Sequence, residues 1–173
     1  PEKIGGWQAE TITPYVGEAT KLFVYSVDTG AEIAGLATTK KIYIRAGTLL
    51  FDITPIRVTY TTSTTPSTDN CFTTNTTAGT EGQVLVTLAS HGAETGDFVT
   101  FSGATAVGGI TAPQLNLEFE VTVLGGNTFT IQTAGTATGV ATGGGTSITA
   151  AFQINIGADT SVAGYGWSAG TWS

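Results

Sequence analysis

Apolar and polar residues alternate over several short stretches of this chain, and glycine-containing turns separate them. The first stretch is Lys21 to Val27 (KLFVYSV), which turns at Asp28-Thr29-Gly30. Glu32 to Ala37 continues in strand and turns at Thr38-Thr39-Lys40. Lys41 to Ala46 (KIYIRA) puts Ile42 and Ile44 on one face and Tyr43 and Arg45 on the other. Gly47-Thr48 leads into Leu49 to Thr54 (LLFDIT), and Pro55 ends that strand or confines it to an edge. A period of two repeated four times predicts an antiparallel meander. Four short strands so joined have the form of one β-propeller blade, and a lone blade would expose both faces.

A second set of strands follows a polar interval. Tyr60 to Thr80 is rich in Thr and Ser, contains Pro66 and offers few core residues, so it reads as a linker or long hairpin arm. Gln83 to Ala89, Asp97 to Ser102, Phe119 to Leu124 and Thr128 to Gln132 read as strands, with Gly125-Gly126-Asn127 turning the last two into a hairpin. Gly135 to Gly145 is a Gly/Thr/Ala arm, and Thr146 to Ile156 supplies a closing strand. Apolar spacing of three and four persists nowhere for three turns, so no long helix is expected. The predicted organisation is a propeller-blade-like meander over 1–58, a linker over 59–82, a small β-barrel over 83–156 and a Gly/Trp-rich return segment over 157–173. Alternation places Phe98, Phe101, Val121, Phe129 and Ile131 in one barrel core.

Composition supports the all-β reading. Charged residues make up only 11% of the 173, Gly numbers 24, and Thr, a strand former, is the commonest residue. A hydrophobic fraction of 40% and a mean hydropathy of +0.19 argue against a disordered chain. The net charge of −7 makes specific nucleic-acid binding unfavourable, and no polybasic run points to a membrane surface. Cys71 is the only cysteine, so no intrachain disulfide can form; it reads as a small core residue, and weakly as a sign of a reducing compartment. With no initiator Met and no targeting segment, the chain is expected to be a piece of a larger protein or a processed product.

Several segments carry a family resemblance. Pro1 to Trp7 (PEKIGGW) resembles the segment after the N-terminal arm in large tail proteins of short-tailed bacteriophages, of the hub or nozzle type. Lys41 to Pro55, with KIYI and LLFDITP, resembles their first propeller blade. His91 to Thr111 (HGAETGDFVTFSGATAVGGIT) and Asn127 to Ile131 resemble their inserted barrel, which is similar in pattern to the small barrel of ubiquitin-activating enzymes. Ala151 to Trp172 resembles the return to the propeller. The resemblance covers nearly the whole chain, through short motifs of common strand and turn residues. It implies a structural subunit of the virion tail, assembled in the host cytoplasm as a homo-oligomer ring with other phage tail proteins, and it carries over no catalytic residues.

Candidate chemistry is sparse. His91, the only histidine, would need a nucleophile and an orienting acid to act as a base; Glu94 and Asp97 are nearest, and a local hydrogen bond in a His-Gly turn is the simpler reading. Glu118 and Glu120 share a strand face, but Glu120 reads as solvent-facing rather than as half of a carboxylate pair. Asp28, Asp52, Asp69 and Asp97 form no calcium-loop motif, and one His with one Cys makes no conventional zinc site. Gly108-Gly109 and Gly143-Gly144-Gly145 read as turns, since no Lys-Ser/Thr and no helix follow. Asn75-Thr76-Thr77 matches a glycosylation sequon, a frequent coincidence in a Thr-rich chain. Trp7, Trp167 and Trp172 are the interface candidates, aromatic anchors in Gly-rich surroundings. No cofactor, metal or catalytic site is expected. The alternative to a tail subunit is a tail-surface or decoration domain binding a host glycan; a depolymerase comes third, for want of a carboxylate pair in a groove.

Overall fold

The structure, a computed structural model, describes residues 14–26, 30 and 32–154. It is nearly all β, with antiparallel pairing throughout and a single helical turn, α1 (Ala112–Leu115). The chain forms two units. The first comprises Pro1–Thr54 and Asn155–Ser173, and the second Pro55–Ile154.

The described part of the first unit is the expected meander. β1 (Ala19–Ser26), β2 (Glu32–Thr38), β3 (Ile42–Ala46) and β4 (Leu49–Asp52) lie in that order in one sheet. Gly47 has φ +60, which suits the two-residue hairpin between β3 and β4. Thr38 closes the turn between β2 and β3: its hydroxyl accepts the Lys41 N–H at 2.8 Å and donates to the Val16 carbonyl at 2.7 Å. Few side chains here are buried; Ala34, Thr38, Lys41, Tyr43 and Thr54 are, whereas every residue of β1 is exposed.

The second unit holds β5 (Ile56–Thr61), β6 (Phe72–Thr74), β7 (Gln83–Thr87), β8 (Phe98–Ser102), β9 (Glu118–Glu120), β10 (Thr122–Gly125), β11 (Thr128–Gln132), β12 (Thr142–Gly143) and β13 (Thr149–Gln153). One sheet runs β10-β11-β7-β6-β12 and the other β5-β13-β8-β9. Their hydrogen bonding does not close into the expected barrel. Instead, two open sheets share one core. Phe72, Val84, Val86, Phe129 and Ile131 enter it from the first sheet, and Val99, Phe101, Phe119, Ala150 and Phe152 from the second. Edge-to-face ring pairs join the two sets, Phe72 with Phe101 at 4.9 Å and Phe129 with Phe152 at 5.8 Å.

Three sequence expectations need correction. Residues 59–82 are not a linker, and the second unit begins at Pro55 rather than at 83. Val58 and Tyr60 pack against the core from β5, which pairs with β13, while Cys71 and Phe72 lie inside the core itself. The threonines that gave this stretch its polar look are partly internal: the buried Thr68 hydroxyl donates to the Ile148 carbonyl at 2.5 Å, and the buried Thr74 hydroxyl to the Gly139 carbonyl at 2.8 Å. Phe119 to Leu124 is not one strand. It breaks at Val121, so that β9 joins one sheet and β10 the other. Phe98 is buried but stands outside the core cluster, because strand alternation puts Val99 and Phe101 on the inner face of β8. Phe101, Val121, Phe129 and Ile131 do meet in that cluster.

The second unit also begins and ends at one place. The Ile154 N–H donates to the Pro55 carbonyl at 2.9 Å, next to the β5–β13 ladder.

Candidate functional site

The residues with chemistry to offer are held in structural roles. His91 follows Ser90, which has φ +51, in a turn before Ala93. The Ala93 N–H donates to His91 Nδ1 at 3.0 Å, so Nδ1 is an acceptor and the proton sits on Nε2, which faces the Gly125 carbonyl at 3.0 Å. The buried ring meets Phe129 edge to face at 5.1 Å. Asn127 adds to the same tie, its side-chain oxygen accepting from Ser90 N–H and its carbonyl from Leu88 N–H. Both ring nitrogens are thus engaged with backbone, which rivets this turn to the β10–β11 hairpin. A general base needs a free lone pair directed at substrate, and Nδ1 has already used its own.

Asp97 lies near this turn. Its Oδ2 accepts the Glu94 N–H at 2.9 Å and stands 3.5 Å from Arg57 Nη2, while Oδ1 is buried with no hydrogen-bond partner among the described residues. The Arg57 guanidinium lies 5.6 Å from the centre of the Phe152 ring. Glu118 and Glu120 flank the inward Phe119 and are exposed, as expected of β9, and Glu118 accepts a 2.7 Å hydrogen bond from the Gln153 amide.

In the first unit Lys41 Nζ donates to Asp52 Oδ2 at 2.6 Å, with the lysine side chain 2% and the aspartate 30% exposed. Burial, the largest single influence on Asp52, pushes its carboxyl up. Hydrogen bonds from Lys41 and from the Thr54 side chain and N–H, together with the lysine charge, outweigh that effect and hold it below the ordinary aspartate value. Of the aspartates weighed for calcium, Asp52 pairs with Lys41, Asp97 faces Arg57, Asp69 is exposed, and Asp28 lies outside the described residues. No group of three or more His, Cys, Asp or Glu side chains is placed to hold a metal ion among the described residues.

Cys71 is buried in the core. Burial, with a smaller push from the Asp69 charge, drives its thiol up to about 12 against a hydrogen bond from its own backbone. Asn75 organises its loop: Nδ2 donates to the Thr80 and Gln83 carbonyls at 3.1 Å each, and Oδ1 accepts the Thr77 N–H at 2.9 Å. A sugar on Nδ2 would displace those bonds. Gly108 and Gly109 have φ +55 and +95, the conformation of a tight hairpin turn between the bridged Val107 and Ile110, not of a phosphate cradle.

What remains open is a surface. The sheet register aligns Phe23, Gly35, Ile44 and Phe51 in one row, with Tyr25, Ile33, Ala46 and Leu49 in the row two residues away on the same face. The Phe23 ring lies over Gly35, where a β-carbon would collide with it, and stacks beside Tyr25 at 6.2 Å. The opposite face carries Arg45 and Asp52 among its apolar residues. Alternation at KIYIRA shows a strand but not this face, which depends on the register that adds Phe23 and Phe51 to it. The interface candidates Trp7, Trp167 and Trp172 lie outside the described residues.

No helix among the described residues is long and apolar enough to cross a membrane. No protein-family model matches the chain, and no curated protein does either. Among solved structures, the chain is similar to a phage phi92 endosialidase at 20% identity and a TM-score of 0.41, over 77% of this chain and 19% of that one. The chain therefore spans about a fifth of that protein's length, and a likeness this distant assigns neither family nor activity.

Proposed function

We propose that this chain is a structural, non-enzymatic subunit of a bacteriophage tail, of the hub or nozzle type. It works in the virion as one of several identical copies among other tail proteins and is assembled in the host cytoplasm. One observation carries the reading: the described strands of the first unit form a single sheet with exposed apolar residues. Every residue of β1 is exposed, and Leu49, Phe51 and Ile53 at the far edge are exposed too. Monomeric proteins rarely leave a continuous apolar sheet face in water, and subunits of larger bodies do so because neighbours cover it. The residues quoted for the tail-protein resemblance supply the kind of assembly. The binding of His91 and Asn75 into backbone contacts supports a scaffold rather than a reaction centre.

Mass spectrometry of purified virions tests this. Peptides of this chain are expected in stoichiometric amount, and immunoelectron microscopy is expected to place them on the tail. A chain missing from intact particles overturns the reading. Retention on a host polysaccharide, together with a lone copy on the tail surface, would favour the glycan-binding alternative.

A further inference from the structure

The face that aligns Phe23, Tyr25, Ile44, Leu49 and Phe51 is uninterrupted by charge along its two central rows. Lys21 stands at one end, in the row it shares with Ala37 and Ile42. Such a face fits another apolar sheet and offers nothing to a charged partner. The notch that Gly35 would leave in it is filled by the Phe23 ring. Flat sheet faces pack against flat sheet faces, roughly 10 Å apart.

We infer that this face is the contact between two copies of the chain, the β1–β4 sheet of one stacked on that of the other. This rests on the proposal that the chain works in several copies, and it names the surface. Area supports that occupant. Phe23, Tyr25, Leu49, Phe51 and Ile53 are each between 42% and 61% exposed. At about 100 Å² apiece they offer on the order of 500 Å² per copy, so two copies bury roughly 1,000 Å² from these side chains alone, the threshold of a specific interface. Charge supports it as well. With a net −7 per chain, copies repel one another in general, and a neutral face is where two can meet. The contact is two-fold, the same patch on both partners, so a ring of copies needs a second contact elsewhere.

Sedimentation velocity of the full 173-residue chain over a concentration series tests this, with Leu49→Glu and Phe51→Glu as variants. Both residues are exposed, so the fold should survive; where it does not, Leu49→Ala and Phe51→Ala read the same constant. Wild type should self-associate, and each Glu variant should weaken association by about thirtyfold or more. A photo-crosslinker at position 51, in a mixture of isotopically heavy and light chains, should give heavy–light links to β1–β4. Association that persists unchanged in the Glu variants overturns the assigned face and leaves the multi-copy reading standing. Links confined to residues 155–173 of the same chain also overturn the face. A wild type that stays monomeric at every concentration overturns the face and the multi-copy reading together.

Discussion

Truncating Phe129 to alanine should be the most damaging single change in the second unit. Phe129 sits on β11 with β10 on one side and β7 on the other, opposite Val123 and Val86. Its ring is fully buried and makes edge-to-face contacts with His91 at 5.1 Å and Phe152 at 5.8 Å. A buried aromatic covers about 150–250 Å², so area alone suggests roughly 4–6 kcal/mol. Measured large-to-small truncations of Phe run at about 3–5 kcal/mol, because the surroundings partly relax. The local geometry favours the upper half of that range. His91 is pinned by two backbone hydrogen bonds and cannot swing into the space, and Phe152 is fixed in the opposite sheet. An expected loss of about 4 kcal/mol would lower the melting temperature of a unit of this size by roughly 15–30 °C. Urea denaturation with hydrogen exchange read by mass spectrometry gives both the loss and its location. Amides of β7 and β11 should lose protection together, while those of β2 and β3 in the first unit keep theirs. A loss below about 1 kcal/mol, the ordinary size for an undistinguished site, would refute the packing argued here.

Asp52→Asn should cost about 2–3 kcal/mol in the first unit, less than a fully buried pair because the carboxylate reaches solvent while Lys41 does not. The Asp52 carboxyl is held below its ordinary value in the fold, so its contribution is present above about pH 4 and is lost as pH falls through the folded value. Asp52→Asn should flatten that acid limb in melts taken from pH 2 to 7, and an unchanged limb would assign it to other groups. Cys71, with its thiol raised to about 12, should react with iodoacetamide roughly a thousandfold more slowly in the native chain than in denaturant; equal rates would mean that the core opens at Cys71. Residues 55–154 alone should fold cooperatively, because their ends meet at the Pro55–Ile154 hydrogen bond and their core is their own; a non-cooperative melt of this fragment would contradict that independence.

The strands were legible where alternation was undisturbed. KIYIRA became β3, which starts one residue later at Ile42, and TFTIQ became β11 with the expected ends, since a period of two with a glycine or asparagine turn beside it leaves little else to form. The Phe72–Thr74 strand lies hidden in a stretch that looks polar, for a physical reason. Threonine counts as polar in a sequence pattern, yet its hydroxyl can satisfy a nearby carbonyl while its methyl packs, as Thr68 and Thr74 do at full burial. The break at Val121 was illegible for a different reason. FEVTVL alternates throughout, and the backbone bonds of Val121, its N–H to the Asp97 carbonyl and its carbonyl from the Gly96 N–H, mark where the chain leaves one sheet for the other. Of the candidate chemistry, the local role of His91 could be read from its place in a turn. The apolar face of the first unit could not, because it depends on register between four strands.

The second unit and the described strands of the first meet the same problem differently. Both are antiparallel sheets with an apolar face, and such a face must find cover. The second unit covers its own: two sheets close on one core, and Leu115 of α1 with loops carrying Val107, Ile110 and Ile148 seals it. Polar side chains then serve as stitching, with His91 holding a turn to a hairpin, Asn75 holding its loop to the Gln83 carbonyl of β7 and Thr74 of β6 holding the arm at Gly139. The described strands of the first unit have only one sheet, and their charge pair, buried Lys41 with partly exposed Asp52, lies where β3 begins and β4 ends rather than at the centre of a core. A charge pair fixes register but adds little net stability, so it cannot replace a second layer. If the inferred contact covers Phe23 and Phe51, the stability of that sheet should rise with chain concentration. Hydrogen exchange in β2 and β3 should slow as the chain is concentrated, while β7 and β11 stay unchanged. Protection in β2 and β3 that is independent of concentration would mean that the sheet is covered from within its own chain.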